Sequence, residues 1–327
     1  MSSQRTLSLS FRDFGSADYE RLEEIYNANY PEYRVSAVEQ QARDDSIDKS
    51  KYLVRRFVCF DDRTDATIGF GQIANVLDMY HPRKFMVSIY VDPQYQRMGV
   101  GGAIFDKLLD ELTALSAEVA WTMNREDLHF QREFFERRGF DERRRDWESR
   151  LDLSTFKPER FRTDLSRVAE QGINFTTLTE ELQHGENSLK KLHDLVQHIV
   201  ADMPRQADFT PLSYEQWKTL LSNSPRLLPE GYVIANDGPE FVGMSNLLRN
   251  EKMPRTLSQD DTGVRREYRG RGIATALKIK VIEFARKNGY ESIETWNDST
   301  NAAMLAVNTK LGFKRHVGWI LLEKVLA

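Results

Sequence analysis

Two stretches of the chain carry its clearest helical pattern. In residues 101–115 apolar side chains recur at Ile104, Leu108, Leu112 and Leu115, a spacing that lines one face of a helix. In residues 273–288 the same face is formed by Leu277, Val281 and Phe284, and Gly289 is placed to end the helix. A strand-like run precedes each, at 85–91 and 257–264, and another follows each, at 119–123 and 292–296. Upstream of each lies a hairpin pattern, 52–60 with 66–74 around Asp61-Asp62-Arg63, and 232–235 with 240–247. A further strand is expected at 7–11 and helices at 19–28 and 131–138. Strands and helices mixed in this order predict a layered α/β or α+β fold.

The order occurs twice, in one register. Gly99 and Gly272, Gly139 and Gly312, and Pro31 and Pro204 are each separated by 173 residues in a chain of 327. We read a duplication, with domains at 1–155 and 172–327. Residues 151–153 are the expected last strand of copy one. Residues 154–171 are charged, contain Pro158 and suit a connector, with Phe161, Leu165 and Val168 at helical spacing. The length suffices for two hydrophobic cores. Apolar residues at 40% and charged residues at 29% fit a globular chain, and a net charge of −4 argues against a dedicated nucleic-acid surface. The run Arg143-Arg144-Arg145 is flanked by acids and is expected at a solvated turn or strand edge. No apolar run reaches the roughly 18 residues of a membrane span. A polar start and a single cysteine, Cys59, lead us to expect a cytoplasmic protein. Cys59 lies in an apolar strand and is expected in the core.

The chemistry concentrates where each central strand turns into the long helix: Gln96-Arg97-Met98-Gly99-Val100-Gly101 in copy one and Arg269-Gly270-Arg271-Gly272-Ile273-Ala274 in copy two. A helix start presents unpaired amides and a positive dipole end, and glycines let a phosphate approach the backbone. The pattern is neither a P-loop nor G-x-G-x-x-G. It resembles the coenzyme A signature of the GNAT acetyltransferases. Copy two adds Thr262-Gly263-Val264 before the turn, and beyond it Thr295-Trp296-Asn297, Asn301, Met304, Asn308 and Leu311-Gly312-Phe313. The resemblance covers most of both copies and is most similar to tandem members of the family. It implies two domains, each with a mixed, mostly antiparallel sheet flanked by helices, and acetyl-CoA as acyl donor. It implies that the two turns hold the pyrophosphate, that the backbone at Val91 and Val264 meets the thioester and pantetheine arm, and that Asn301 contacts the cofactor. Many members carry a tyrosine four residues before the Gly-Phe pair that protonates the leaving thiolate; here those positions are Phe135 and Asn308.

The expected reaction is direct attack of a small-molecule or peptide amine on the thioester, which needs positioning, oxyanion stabilisation and a proton acceptor. Copy two offers Asp260, in Gln259-Asp260-Asp261-Thr262, and then Glu294 as bases, with Asn308 at the acid position; the matching strand of copy one, Val87-Ser88-Ile89-Tyr90, has no carboxylate. Catalysis is therefore expected mainly in copy two. The alternative is an acyl-CoA-binding or sensing protein with little turnover. Acceptor specificity is expected in loops at 30–46 and 203–225. The six histidines show no paired ligand spacing, so no metal is expected, nor a membrane or nucleic-acid partner; the oligomeric state stays open.

Overall fold

The computed structural model describes residues 7–326. In the first copy the chain forms β1 (Leu9–Asp13), α1 (Tyr19–Asn29), α2 (Ala37–Asp45), β2 (Val54–Asp61), β3 (Ala66–Ala74), β4 (Lys84–Val91), α3 (Val100–Ala114), β5 (Val119–Arg125), α4 (His129–Glu136) and β6 (Asp141–Asp152). After α5 (Arg162–Ala169) come β7 (Ile173–Thr177), α6 (Leu178–Gln183), α7 (Glu186–Ala201), α8 (Tyr214–Ser222), β8 (Leu227–Asp237), β9 (Glu240–Leu248), β10 (Thr256–Val264), α9 (Ile273–Lys287), β11 (Ser292–Asp298), α10 (Ala302–Leu311) and β12 (Lys314–Val325). The long helices bury the predicted stripes: Ile104, Leu108 and Leu112 enter one core, Leu277 and Val281 the other. The regions read as loops contain α2 and α8. Each is started by a serine cap, Ser36 and Ser213; α2 carries too few apolar residues to show in the pattern, whereas Tyr214, Trp217 and Leu221 of α8 stand at helical spacing.

Among the described residues, all twelve strands join one sheet, in the order β1-β2-β3-β4-β5-β12-β6-β11-β10-β9-β8-β7. Most pairs are antiparallel. The parallel pairs β4–β5 and β10–β11 are held over only three residues each, Lys84–Met86 against Val119–Trp121 and Thr256–Ser258 against Ser292–Glu294. Beyond those residues the strands part, so each half has a gap in its sheet.

The centre of the sheet departs from two side-by-side repeats. The last strand of each copy pairs with the other copy: β12 lies on β5 from Trp319 to Val325, and β6 lies on β11 from Asp146 to Asp152. Side chains follow the exchange, since Ile320 and Leu322 fill the N-terminal core and Leu151 and Leu153 the C-terminal one. Residue 155 therefore divides the chain but not the sheet. The connector is folded too, with Phe156, Phe161 and Val168 buried in the C-terminal core. The arginine run lies within β6, where Arg144 and Arg145 pair with β12 alone, just before β6 meets β11 at Asp146. Its charges pair there, Arg144 with Asp146 at 2.8 Å and Arg145 with Glu126 at 2.6 Å. Cys59 is fully buried, and burial pushes its thiol up to about 12.

Candidate functional site

Both Gly-rich turns are built alike. Gly99 and Gly272 stand immediately before α3 and α9 with φ of +88° and +85°, and two residues earlier Arg97 and Gly270 are also left-handed, at +62° and +76°. Glycine suits such positions because it has no Cβ to strain; Arg97 adopts the conformation without that freedom. The first helical bonds run from Ala103 N to Gly99 O and from Ala276 N to Gly272 O. The amides of 100–102 and 273–275 thus precede the helical ladder and face outward from a positive dipole end.

The side chains at the start of each turn point elsewhere. Gln96 Nε2 donates to Asn29 Oδ1 at 2.7 Å and to the Val91 carbonyl at 3.3 Å. In the second copy Arg269 donates to Asp202 at 2.5 Å and to the Val264 carbonyl at 3.1 Å, and Arg266 also pairs with Asp202. These bonds hold Asp202 below the usual carboxylate range, Arg266 contributing most. Gln96 and Arg269 therefore tie the turn to the end of the central strand and occupy the Val91 and Val264 carbonyls. What the turns present outward is backbone amides, with Arg97 over Phe130, Arg271 over Tyr268, and an exposed Met98. The second turn also has α5 beside it: Gln171 donates to the Arg271 carbonyl at 3.1 Å, and Val168 lies 3.6 Å from where a Cβ on Gly272 would sit.

The gap between β4 and β5 opens into a cavity of about 630 Å³, whose lining includes Gly99, Gly101 and Gly102 of the turn and Tyr26, Tyr30 and Trp319. Phe134 and Phe135 form part of its wall, so the residue at the acid position is apolar. Tyr30 donates its hydroxyl to Gln131 at 2.9 Å, and burial raises its phenol well above the ordinary range. The gap between β10 and β11 opens into a larger cavity of about 940 Å³, which reaches Lys278 on α9, Asn297 on β11, and Asn301 and Met304 on α10. Its opposite wall includes Met86, Ser88 and Tyr90 of β4, which line both cavities.

The two central strands differ. β4 pairs with β3 in unbroken register, whereas on β10 the register steps from Gln259↔Leu247 to Thr262↔Ser245. Three steps on β10 match two on β9, so Asp260–Asp261 is a bulge, a device that re-aims side chains. Asn246 clamps it, accepting from the Asp261 amide at 2.9 Å and donating to Asp260 Oδ2 at 3.2 Å. Lys278 donates to Gln259, which donates to Ser245 Oγ at 2.7 Å and Thr262 Oγ1 at 3.2 Å. Both aspartates line the cavity. Burial, and after it the charge of Asp260, holds the Asp261 carboxyl well above the usual carboxylate range. Lys278 is 1% exposed, and burial pushes its ammonium down to about 7.

The other sequence candidates are spread out. Glu294 is buried on β11 and accepts from Ser258 Oγ at 3.1 Å; burial, then the charge of Glu148, raises it to about 7. Successive strand residues face opposite sides, so Glu294 shares the face of Ser258 while Lys278 meets that of Gln259. Asn308 is buried and donates to Asn297 Oδ1 at 2.7 Å, and Asn301 caps α10 by accepting from the Met304 amide at 3.2 Å. Sequence reasoning missed Asn246, Tyr30 and Lys278, and placed Asp260 ahead of the more enclosed Asp261. Only Lys278 left a trace, a lysine set between Leu277 and Ile279, one position from the apolar stripe of its helix.

Residues 19–140 and again 192–313 match the Acetyltransferase (GNAT) family. The chain belongs to that family. Its two GNAT domains are the matched segments, and both matches stop where the exchanged strands β6 and β12 begin. Over 61 residues, 18% of this chain and 27% of the relative, the sequence is 38% identical to an uncharacterized N-acetyltransferase of Methanocaldococcus jannaschii. The match thus spans about a quarter of that relative. The fold is similar to a tandem GNAT protein from the clavulanic acid biosynthesis pathway, at 15% identity over 97% of this chain and 98% of that one, with a TM-score of 0.76. It is also similar to a GCN5-related N-acetyltransferase from Sphaerobacter thermophilus, at 17% identity over 97% and 95%, with a TM-score of 0.68. Among the described residues of this GNAT protein, no helix is long and apolar enough to cross a membrane, and no group of three or more His, Cys, Asp or Glu is placed to hold a metal.

Proposed function

We propose that the protein transfers an acetyl group from acetyl-CoA to an amine, with the chemistry in the C-terminal half. The observation that supports this most is the bulge, which sets Asp260 and Asp261 in the cavity at the β10–β11 gap; β4 has neither a bulge nor carboxylates there. Acetyl-CoA supplies the thioester. The outward amides of 273–275 and Arg271 suit its pyrophosphate, as those of 100–102 do in the other half. Asn246 holds the Asp260 carboxylate and the backbone amide of Asp261. Asp261, ionised, takes one proton from the bound ammonium, and its raised affinity for protons suits that role; the neutral nitrogen then attacks the thioester carbonyl, the C–S bond breaks, and the thiolate leaves as free thiol with the second proton of the nitrogen. Asp260 stays exposed beside it and holds the incoming cation.

A second reading concerns the N-terminal half. Its cavity runs along its turn but carries Phe135 at the acid position, which suits acetyl-CoA binding without turnover. Calorimetry with acetyl-CoA and thiol release with an active amine test both readings. Gly272→Glu puts a like charge into the second phosphate site and is expected to abolish turnover; Gly99→Glu is expected to remove one binding site and leave most of the turnover. Asp261→Asn is expected to lower kcat by about 10²- to 10⁴-fold. Because Asp261 acts ionised, wild-type rate should rise with pH through its raised titration, and the Asn variant should lose that acidic limb. The reverse pattern for the two glycines would place the chemistry in the N-terminal half.

A further inference from the structure

We propose that the acceptor is a primary monoamine with an apolar body, bound between the two halves with its ammonium at Asp260–Asp261 and its body against the segment joining α7 to α8. This rests on acetyl transfer at the β10 bulge and names the substrate class of that site.

The α7–α8 segment makes the C-terminal cavity a chamber shared by both copies. It crosses to the N-terminal half, where the Thr210 amide donates to the Asp78 carbonyl at 2.8 Å and Arg205 pairs with Asp78 at 3.1 Å. From α8, Gln216 donates to the Ser46 carbonyl at 2.8 Å and accepts from the Asp48 amide at 3.0 Å. Fastened at these points, the segment lines the chamber with Met203, Phe209 and Leu212, while Leu77 and Met79 come from the N-terminal half and Leu221 from α8. These side chains offer dispersion and water exclusion, and the polar neighbours among them, Asn75, Gln197 and Arg205, are already bonded to the protein.

Charge completes the argument. Of the acids in the chamber, Asp78 is paired with Arg205, and Asp146 with Arg144 at 2.8 Å. Asp298 accepts from the Thr300 amide at 2.7 Å and lies 3.7 Å from Arg144. Asp260 and Asp261 are held by the neutral amide of Asn246. The chamber therefore has one acidic pair, Asp260 and Asp261, without a salt-bridge partner, facing the apolar side chains of the α7–α8 segment. One ammonium satisfies that pair. A second ammonium, as in a polyamine, meets only acids already engaged by arginines. The hydroxyls of an aminosugar lose their water against the wall without replacement partners.

The test is calorimetry of the full-length protein with butylamine, hexylamine, octylamine, 2-phenylethylamine, spermidine and glucosamine, followed by thiol release with acetyl-CoA. Binding is expected to tighten by about fourfold per added methylene along the alkyl series. 2-Phenylethylamine is expected to bind at least tenfold more tightly than spermidine or glucosamine. Phe209→Ser should reverse much of the gain from chain length while acetyl-CoA affinity is unchanged. Asp260→Asn with Asp261→Asn should weaken every monoamine tenfold or more. A flat alkyl series, or tighter binding of spermidine or glucosamine, overturns the proposal. Because the binding series uses the unaltered protein, it decides the acceptor class even if a variant misfolds. Tight apolar binding without thiol release supports the class and instead overturns acetyl transfer at the bulge.

Discussion

Lys278 and Glu294 are buried ionisable side chains whose titrations act on stability in opposite directions. An unfolded lysine keeps its proton to about 10.4, while Lys278 in the fold releases it at about 7. Between those values the unfolded chain binds more protons, so this residue makes stability rise with pH from about 7 upward. Lys278→Met is expected to remove that slope and to stabilise most below pH 7, on the order of 1.4 kcal/mol for each unit of the depression. Urea midpoints at pH 6.5 and 9.5 check this; an unchanged difference between them rules it out. Glu294 releases its proton at about 7 in the fold but near 4.3 unfolded. Here the native state binds more protons across that window, so stability falls as pH rises through it. Glu294→Gln is expected to raise the midpoint at pH 8 and leave it nearly unchanged at pH 4. Loss of turnover in the same variant would bring Glu294 into the transfer step.

At the scale of elements, what separates the two copies is one strand irregularity. The bulge on β10 is stapled from both sides, by Asn246 on one and by the Lys278–Gln259–Thr262 chain on the other. Asn246→Ala removes two hydrogen bonds at a site only 6% exposed, which should cost about 2 kcal/mol in urea unfolding. With the bulge and the Asp260 carboxylate no longer clamped, kcat should fall while acetyl-CoA affinity holds, because the amides of α9 are untouched. A loss of acetyl-CoA binding instead would show that the clamp supports the donor site. Gly263, just beyond the bulge, reports on the same packing: a Cβ there would meet Ile199 of α7 at 2.2 Å. Helix and strand can approach that closely only because no side chain intervenes.

For the whole molecule, the exchange of β6 and β12 makes each half depend on the other. A chain ending at residue 313 leaves β5 and β6 without β12 and removes Ile320 and Leu322 from the N-terminal core. Fragments 1–155 and 156–327 are accordingly expected to aggregate when expressed singly and to copurify when expressed together, tested by size exclusion and circular dichroism. A soluble, cooperatively unfolding 1–155 would show that the exchange is not needed for folding. A nick in the connector is expected to leave the halves joined, since twelve strands still share one sheet.

The duplication was legible in the 173-residue offset, and local signals were enough to establish the two long amphipathic helices, the paired hairpins and both Gly-rich turns. Each local signal rests on periodicity or on a backbone conformation that few residues adopt, and these are written within a dozen residues. Partner choice is not written that way. Residues 151–153 read as a strand, but which strand lay beside them depended on where Leu151 and Leu153 could be buried. Gln96 and Arg269 read as phosphate ligands by position; their partners Asn29 and Asp202 lie 67 residues earlier in each copy. Asp260 and Asp261 were visible as acids, but the bulge that aims them is a register shift between two strands, and no single strand encodes a register. The chamber for the acceptor is further still from the sequence, because its walls come from β4, the α7–α8 segment and β10, brought together only when the whole sheet closes around the exchanged strands.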